Sequence, residues 1–138
     1  MLPEGAVTKK IDVPTRSRTE LVDITAEIEE IVRESKAKDG VCHIFVPHTT
    51  AGITINENAD PSVRSDIINE LDKMVPFDGD YEHAEGNAAA HIKSTLVGTD
   101  ATVFIEDGAL VFGAWQGIYL CEFDGPRRRS VFVKIITR

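Results

Sequence analysis

Apolar residues recur along the chain with two different spacings, and each spacing predicts one kind of element. Alternating apolar and polar residues, or short apolar runs, predict β-strands. Such segments lie at residues 6–13, 20–24, 41–46, 53–56, 101–106, 109–112, 118–123 and 130–137. Segment 41–46 is almost continuously apolar, which is typical of a central strand covered on both faces. Pro14 ends the first strand or confines it to a sheet edge.

Apolar residues three and four positions apart predict helices with one buried face. The first helix carries them at Ile24, Ile28, Ile31 and Val32. Asp23 or Thr25 would cap this helix, and Gly40 would stop it. A later, alanine-rich helix is predicted over residues 87–97, with Gly98 after it.

The helix between these two is the best defined. Asp60 is its predicted cap, Pro61 takes the favoured first position and Pro76 stops it. Its predicted buried stripe consists of Val63, Ile67, Ile68, Leu71, Met74 and Val75. Further along, the Asp107-Gly108 pair between two apolar runs predicts a hairpin. Strands at both ends with helices between them predict an α+β fold rather than alternating βαβ units.

Composition narrows the class of protein. The 138 residues predict one domain, residues 1–138, and their formal net charge of −8 argues against general binding of nucleic acid or anionic membranes. No apolar run approaches the roughly 20 residues of a membrane span, and the N-terminus lacks a signal-peptide pattern. We therefore expect a soluble, cytoplasmic protein. Cys42 and Cys121 lie in apolar strands and are expected to be reduced, buried and structural.

Three of the four histidines lie in polar segments. His48 follows a predicted buried strand, His83 lies in a loop and His91 in the next helix. Three imidazoles can hold a transition metal and leave positions open for water or substrate. The alternative is that these histidines have structural roles. We assign a structural role to His43, which lies in the middle of a predicted strand. Two acidic residues, Glu82 and Glu85, lie close to His83 in the sequence. Their carboxylates could orient the imidazole or complete a metal shell, or they could simply be solvated.

The segment after His48 supplies many hydrogen-bonding side chains, at Thr49, Thr50, Asn56, Glu57, Asn58 and Asp60. Glu57 could act as a general base or support a metal-bound imidazole. The alternative is that residues 56–60 only form a turn and a helix cap, and this interpretation is favoured for Asp60.

Two other loops carry candidate binding residues. Glycines on either side of Trp115 and Gln116 suggest a tight corner that aims these side chains, and Gln116 could bond a ligand. A second loop carries guanidinium groups, which match phosphate oxygens in geometry and charge, at Arg127, Arg128 and Arg129. Surface solvation or ion pairs between subunits are the alternative. The working hypothesis is one polar site, at which three segments converge: residues 48–60, 83–91 and 125–129.

Four motifs make the chain familiar: His48-Thr-Thr-Ala-Gly-Ile-Thr-Ile-Asn-Glu-Asn-Ala-Asp-Pro-Ser-Val-Arg64, Tyr81-Glu-His83, His91-Ile-Lys93 and Gly113-Ala-Trp-Gln-Gly117. Together they resemble the YjbQ-like family, also called secondary thiamine-phosphate synthases. The resemblance implies an α+β fold of two packed, mostly antiparallel β-sheets with two to three helices, assembled as a homotrimer. It also implies a divalent metal, such as zinc, in a site that contains histidines.

The activity implied by the resemblance is thiamine-phosphate synthesis, in which hydroxymethylpyrimidine diphosphate is joined to a thiazole phosphate and diphosphate is released. Carried over by position, the metal ligands are His48, His83 and His91. Among the candidate residues described above, Glu57 and Gln116 are the predicted catalytic residues. The small phosphorylated substrate would be bound by Thr49, Thr50, Asn56, Asn58, Arg127 and Arg129.

Two departures from the family pattern concern the site. Only seven residues separate His83 from His91, where some relatives have a longer loop, and Ala114 stands where threonine is frequent. The same residues also suit two other functions. One is a metal-dependent hydrolase of a small phosphorylated substrate, with Glu57 as the base for a metal-bound water. The other is a trimer that binds a metal or ligand without catalysis.

Overall fold

The computed structural model describes the backbone of residues 5–137 and the side chains of residues 8–137. The elements in this part of the chain are β1 (Gly5–Pro14), β2 (Glu20–Asp23), α1 (Thr25–Ser35), β3 (Asp39–Phe45), β4 (Ala51–Glu57), α2 (Pro61–Met74), α3 (Ala88–Val97), β5 (Asp100–Glu106), β6 (Ala109–Leu110), β7 (Gln116–Glu122) and β8 (Arg128–Thr137). This order confirms the predicted α+β class. Positions 6 and 7 of the predicted first strand lie outside the residues whose side chains are described.

Two antiparallel sheets form the framework, as predicted. The larger has the strand order β1-β8-β3-β5-β6, and the smaller has the order β2-β7-β4. Every strand pair in both sheets is antiparallel. β1 is an edge strand that ends at Pro14, where a residue without an amide hydrogen is tolerated.

Two apolar cores hold the layers together. The first lies between the sheets and beneath α1, and its buried residues include Ile28, Ile44, Ile53, Leu120 and Val133. The second lies on the other face of the small sheet, where residues of α2 and α3, Ala90 among them, pack with Leu21, Tyr119, Cys121 and Phe123. β7 is therefore covered on both faces, and residues 117–122 are all buried.

The outer face of the large sheet differs from the prediction. β3 is central, but its residues alternate between buried and exposed, with Cys42 and Ile44 inside and His43 and Phe45 outside. The prediction of a strand covered on both faces is therefore wrong within one protomer. None of the described residues covers this face, and Phe104 is exposed on it as well.

The helices begin largely as predicted but differ in where they end and what they bury. Asp60 caps α2 by accepting the Ser62 backbone N–H at 2.9 Å. α1 ends before Gly40 because Lys36 already adopts the left-handed conformation, with φ of 62°. The stripe predicted for α2 faces the protein but is only half-buried: Ile67, Ile68 and Leu71 pack against the second core, whereas Met74 is 63% exposed. No helix in the described part of the chain is long and apolar enough to cross a membrane.

The predicted hairpin joins β5 to β6. Asp107 and Gly108 both have positive φ, 52° and 80°, which is the backbone required by a two-residue turn between twisted strands. β6 is shorter than predicted and ends at Leu110, paired with Ile105. The two residues of the turn were therefore sufficient to predict where one strand of this hairpin connects to the next.

Candidate functional site

A buried ion pair lies at the end of the small sheet where β4 begins and β7 ends. Arg129 is 2% exposed and Glu122 is 0% exposed. Arg129 Nε donates to Glu122 Oε1 at 2.9 Å, while Nη2 donates to Glu122 Oε2 and, at 2.8 Å, to Thr50 Oγ1. Thr15 Oγ1 and the Asp124 backbone N–H also donate to the Glu122 carboxylate, at 2.7 and 3.0 Å. The pair thus has the extra hydrogen bonds that two buried charges need.

These contacts keep Glu122 ionised. Burial raises the pKa of this carboxyl, but hydrogen bonds from Arg129, Thr15 and the Asp124 N–H outweigh burial, so its pKa lies below the usual value. Arg129, a predicted phosphate-binding residue, is therefore engaged by the protein itself through Nε and Nη2. Its Nη1 has no hydrogen-bond partner among residues 8–137.

His48 lies beside this ion pair, partly buried, three residues before β4. Its Nε2 accepts a hydrogen bond from the Ser130 backbone N–H at 2.9 Å. Burial lowers the pKa of His48, and the charges of Arg129 and Arg127 lower it further, against an opposing effect of Glu122. The imidazole is therefore neutral at pH 7 and carries its proton on Nδ1. This arrangement disfavours the predicted metal ligation, because Nε2 is occupied and Nδ1 is protonated.

The arginine loop is joined to the helix that carries His91. Arg127 donates to the Asp124 backbone oxygen and carboxylate at 2.8 and 3.1 Å. The same carboxylate accepts from Asn87 Nδ2, at the start of α3, at 2.9 Å. Further along α3, Ser94 Oγ donates to the carbonyl oxygen of the first β4 residue at 2.7 Å. Residues 48–60 and 125–129 thus meet directly through Thr50 and Arg129, and residues 83–91 are linked to the arginine loop through Asp124.

His83 and His91 approach each other as expected. Their ring centroids are 5.3 Å apart with the rings nearly perpendicular, and His83 Nε2 lies 3.8 Å from a carboxylate oxygen of Glu85. Within the described residues, no group of three or more histidines, cysteines and carboxylates is arranged to hold a metal ion. Neither His48 nor Glu85 completes a three-ligand group with this pair in one protomer, and the assignment of the metal ligands stays a prediction.

Glu57 and Gln116 lie at the opposite end of the small sheet. In the β4–β7 register, Ala51 pairs with Glu122, whereas Glu57 pairs with Gln116. Six residue steps along a strand correspond to about 20 Å. Glu57 therefore does not lie beside His48 within one protomer, and its catalytic role stays a prediction.

The side chains at this opposite end serve mainly their own loops. Gln116 Oε1 accepts the Gly113 backbone N–H at 2.7 Å, and Asn58 Nδ2 donates to Asp23 Oδ2 at 3.2 Å. Asn56 Oδ1 accepts the backbone N–H of the next residue at 2.7 Å. Trp115 is 64% exposed. Gln116, Asn56 and Asn58 remain predicted site residues. Gln116 and Asn56 bond within their own segments, whereas Asn58 reaches Asp23 at the end of β2.

Sequence reasoning missed the residue that organises the His48 end. Glu122 received no role, although it is the one charged residue in the apolar run 118–123. A charge within a buried strand is a signal, because it requires a partner. Lys93 was also passed over; its side chain is fully buried, pairs with Asp72 and lies over the Phe77 ring at 3.8 Å.

The two-sheet architecture and the polar cluster at the start of β4 define a class of small α+β domain with an arginine and histidine cluster at one end of its smaller sheet. Residues 9–138 match the family described as "UPF0047 protein YjbQ-like". The chain belongs to this family, which confirms the resemblance drawn from the four motifs.

Relatives in other organisms extend over nearly the same length. A UPF0047 protein of Methanocaldococcus jannaschii is 58% identical, with 92% of each chain covered. The UPF0047 protein YugU of Bacillus subtilis is 47% identical over 93% of this chain and 98% of its own. A crystal structure from Clostridium acetobutylicum, of an uncharacterised YjbQ/UPF0047 protein, matches with a TM-score of 0.91 at 53% identity, covering 93% of this chain and 99% of that one.

A second crystal structure, from Sulfolobus solfataricus, matches with a TM-score of 0.93 at 37% identity, covering 96% of this chain and 98% of that one. It is described as a YbjQ-like protein of unknown function. These relatives are named as family members without any activity. The prediction of thiamine-phosphate synthase activity is therefore corrected, since membership of this family does not support it.

Proposed function

We propose that the His48 end of the small sheet binds the phosphate group of a small phosphorylated compound. The observation that carries the proposal is the His48 imidazole, whose Nε2 accepts the Ser130 backbone N–H at 2.9 Å. Burial and the charges of Arg129 and Arg127 lower its pKa, which favours the neutral ring. Such an imidazole offers its Nδ1–H as a donor, and guanidinium groups supply charge. Phosphate oxygens are acceptors that use both.

Local charge supports an anionic ligand despite the acidic character of the chain. The net charge is −8, but the segment from the end of β7 to the start of β8 carries Arg127, Arg128 and Arg129 against the carboxylates of Glu122 and Asp124. A positive region within an otherwise negative protein directs small anions to that region. Binding of a large polyanion would instead be opposed by the rest of the surface.

Arg127 is the guanidinium best suited to contact the ligand. Half of its side chain is exposed, and only its Nε and Nη2 bond to Asp124. Arg129, by contrast, is committed to Glu122 and Thr50 and would act on the ligand mainly through its charge. The hydroxyl of Thr49, which is exposed next to His48, is a further donor.

Calorimetric titration with inorganic phosphate, diphosphate and simple phosphate monoesters tests the proposal. Arg127→Ala removes a charged hydrogen bond to the phosphate group, and it should weaken phosphate binding about tenfold or more. Arg33→Ala is the matched control, because it removes the same charge at the end of α1, and it should leave affinity unchanged. If phosphate does not bind the wild-type chain, or if both variants lose affinity equally, the proposal fails.

We also propose a divalent-metal site, with zinc as the candidate ion, at His83 and His91. The separation of their ring centroids, 5.3 Å, suits two ligands of one ion after small side-chain rotations, and Glu85 is near enough to His83 to assist. Elemental analysis and cobalt spectroscopy of wild type and His91→Ala test this site. Equal metal content in the two proteins would contradict it.

A homotrimer is the third proposal. The outer face of the large sheet exposes large apolar residues, with Phe45 at 48% and Phe104 at 61%, and exposed apolar patches of this kind mark interaction surfaces. Phe104→Lys should disperse the assembly in light scattering. Leu96→Lys, an equally exposed position on α3, should not. A monomeric wild-type chain would rule the trimer out.

The cytoplasm is the compartment we propose. Cys42 and Cys121 are both free and buried. Burial raises the pKa of Cys42 to about 11 and that of Cys121 to about 12, so neither thiol is activated. Free cysteines suit a reducing compartment, and fractionation of cells that produce the protein tests the assignment.

A further inference from the structure

The hydrogen bond from Ser130 to His48 determines which imidazole nitrogen carries the proton. A backbone N–H group can only donate, so Nε2 accepts this bond. The proton of the neutral ring therefore lies on Nδ1. A proton on Nε2 would set two N–H groups against each other and break the contact.

One side chain ties together the two segments that make this bond. Arg129 directly precedes Ser130, and its Nη2 donates to the hydroxyl and the carbonyl oxygen of Thr50, at 2.8 and 3.2 Å. Thr50 lies two residues after His48. Arg129 therefore sets the spacing between the two segments, and its own position is set by the buried Glu122.

We propose that Glu122 and Arg129 are positioning residues that hold His48 in its Nδ1–H tautomer, so that the site accepts an oxyanion and excludes a metal ion from His48. The inference rests on the proposed phosphate binding at this site and supplies the reason for the ligand class. A phosphate oxygen offers only lone pairs and is matched by a donor. A metal ion requires a bare nitrogen, and the Ser130 contact occupies the only one that His48 has.

Nitrogen-15 NMR of the histidine rings tests the proposal, because protonated and bare ring nitrogens resonate in separate regions. In the wild-type chain, His48 should show a protonated Nδ1 and a bare Nε2. Inorganic phosphate should shift Nδ1, and zinc alone should shift neither nitrogen of His48. A protonated Nε2 in the neutral ring, or a shift of His48 on addition of zinc, would overturn the proposal.

Variants of Thr50 test the positioning role without removing a buried charge. Thr50→Val loses the hydroxyl that Arg129 contacts but keeps the shape, whereas Thr50→Ser keeps the hydroxyl. The valine variant should mix the two tautomers and weaken phosphate binding about twofold to tenfold, and the serine variant should behave as wild type. If the valine variant retains a pure Nδ1–H tautomer, Arg129 does not position His48.

The outcome also separates this inference from the proposed function. If the wild-type tautomer is as expected but phosphate does not bind, the proposed function and the oxyanion preference fail, while the positioning role of Arg129 stands. If phosphate binds while Nε2 is the protonated nitrogen, the proposed function stands and the positioning role fails.

Discussion

The two ends of the three-stranded sheet hold their polar residues in different ways. Where β4 begins, Arg129 and Glu122 are buried and bonded to each other and to Thr50. Where β4 ends, Glu57 is partly buried and Gln116 is exposed, and the Gln116 side chain bonds only to its own loop.

Burial explains this difference. Charges taken out of water must satisfy one another through several hydrogen bonds, and each of those bonds fixes a neighbour in place. Exposed polar groups can bond to water instead, so their neighbours remain free to vary. The buried end is therefore the one at which a donor such as His48 Nδ1–H is held ready for a ligand.

Breaking the buried pair should have the largest effect. Arg129→Met leaves the Glu122 carboxylate buried without its partner, and we expect the free energy of unfolding to fall by about 3–5 kcal/mol. Glu57→Gln at the opposite end should change it by less than about 0.5 kcal/mol. Urea unfolding measures both, and a loss below about 1 kcal/mol for Arg129→Met would show that the pair is not held as described.

Two glycines sharpen the comparison with a smaller effect. A Cβ at Gly125 would lie 2.3 Å from the Ser17 backbone oxygen, whereas one at Gly117 would lie 2.3 Å from Asn58 Nδ2, at the end of a side chain. Gly125→Ala should therefore cost about 1–3 kcal/mol. Gly117→Ala should cost less, because Asn58 can move aside. Equal melting temperatures for the two variants would contradict this.

Acid should weaken the buried end in two steps. The pKa of folded His48 lies below its usual 6.5, so the unfolded chain binds more protons below that pH and stability is lost as pH falls from 6.5. The pKa of folded Glu122 lies below its usual 4.5, so its contribution is present above 4.5 and is lost as pH falls through the folded value. Urea midpoints measured against pH should lose the upper step in His48→Gln. An unchanged profile in that variant would assign the step to another group.

The smallest effect is expected at the exposed end. Gln116→Ala removes the 2.7 Å bond to the Gly113 N–H, and we expect at most about 1 kcal/mol of destabilisation. Trp115 is the only tryptophan in the chain, so its fluorescence reports any loosening of this loop. A loss as large as that of Arg129→Met would remove the distinction between the two ends.

Several parts of the fold were predictable because their chemistry is local. The cap at Asp60 and the positive-φ turn at Asp107-Gly108 depend on a few adjacent residues, and both occur as predicted. The site was only partly predictable. Residues 48–60 and 125–129 meet as expected. Glu57, however, was grouped with His48 because the two are near in sequence, although β4 runs between them and separates them.

The sequence by itself determined the order of the elements, their approximate limits and the family to which the chain belongs. Tertiary structure alone decided which polar residues meet. Arg129 and Thr50 are 79 positions apart, and their contact depends on the packing of the start of β8, in the large sheet, against the start of β4 in the small one. Periodicity records the environment of each residue along one strand or helix, but not its partner on another. That partner is set by strand register and by the packing of one sheet on the other.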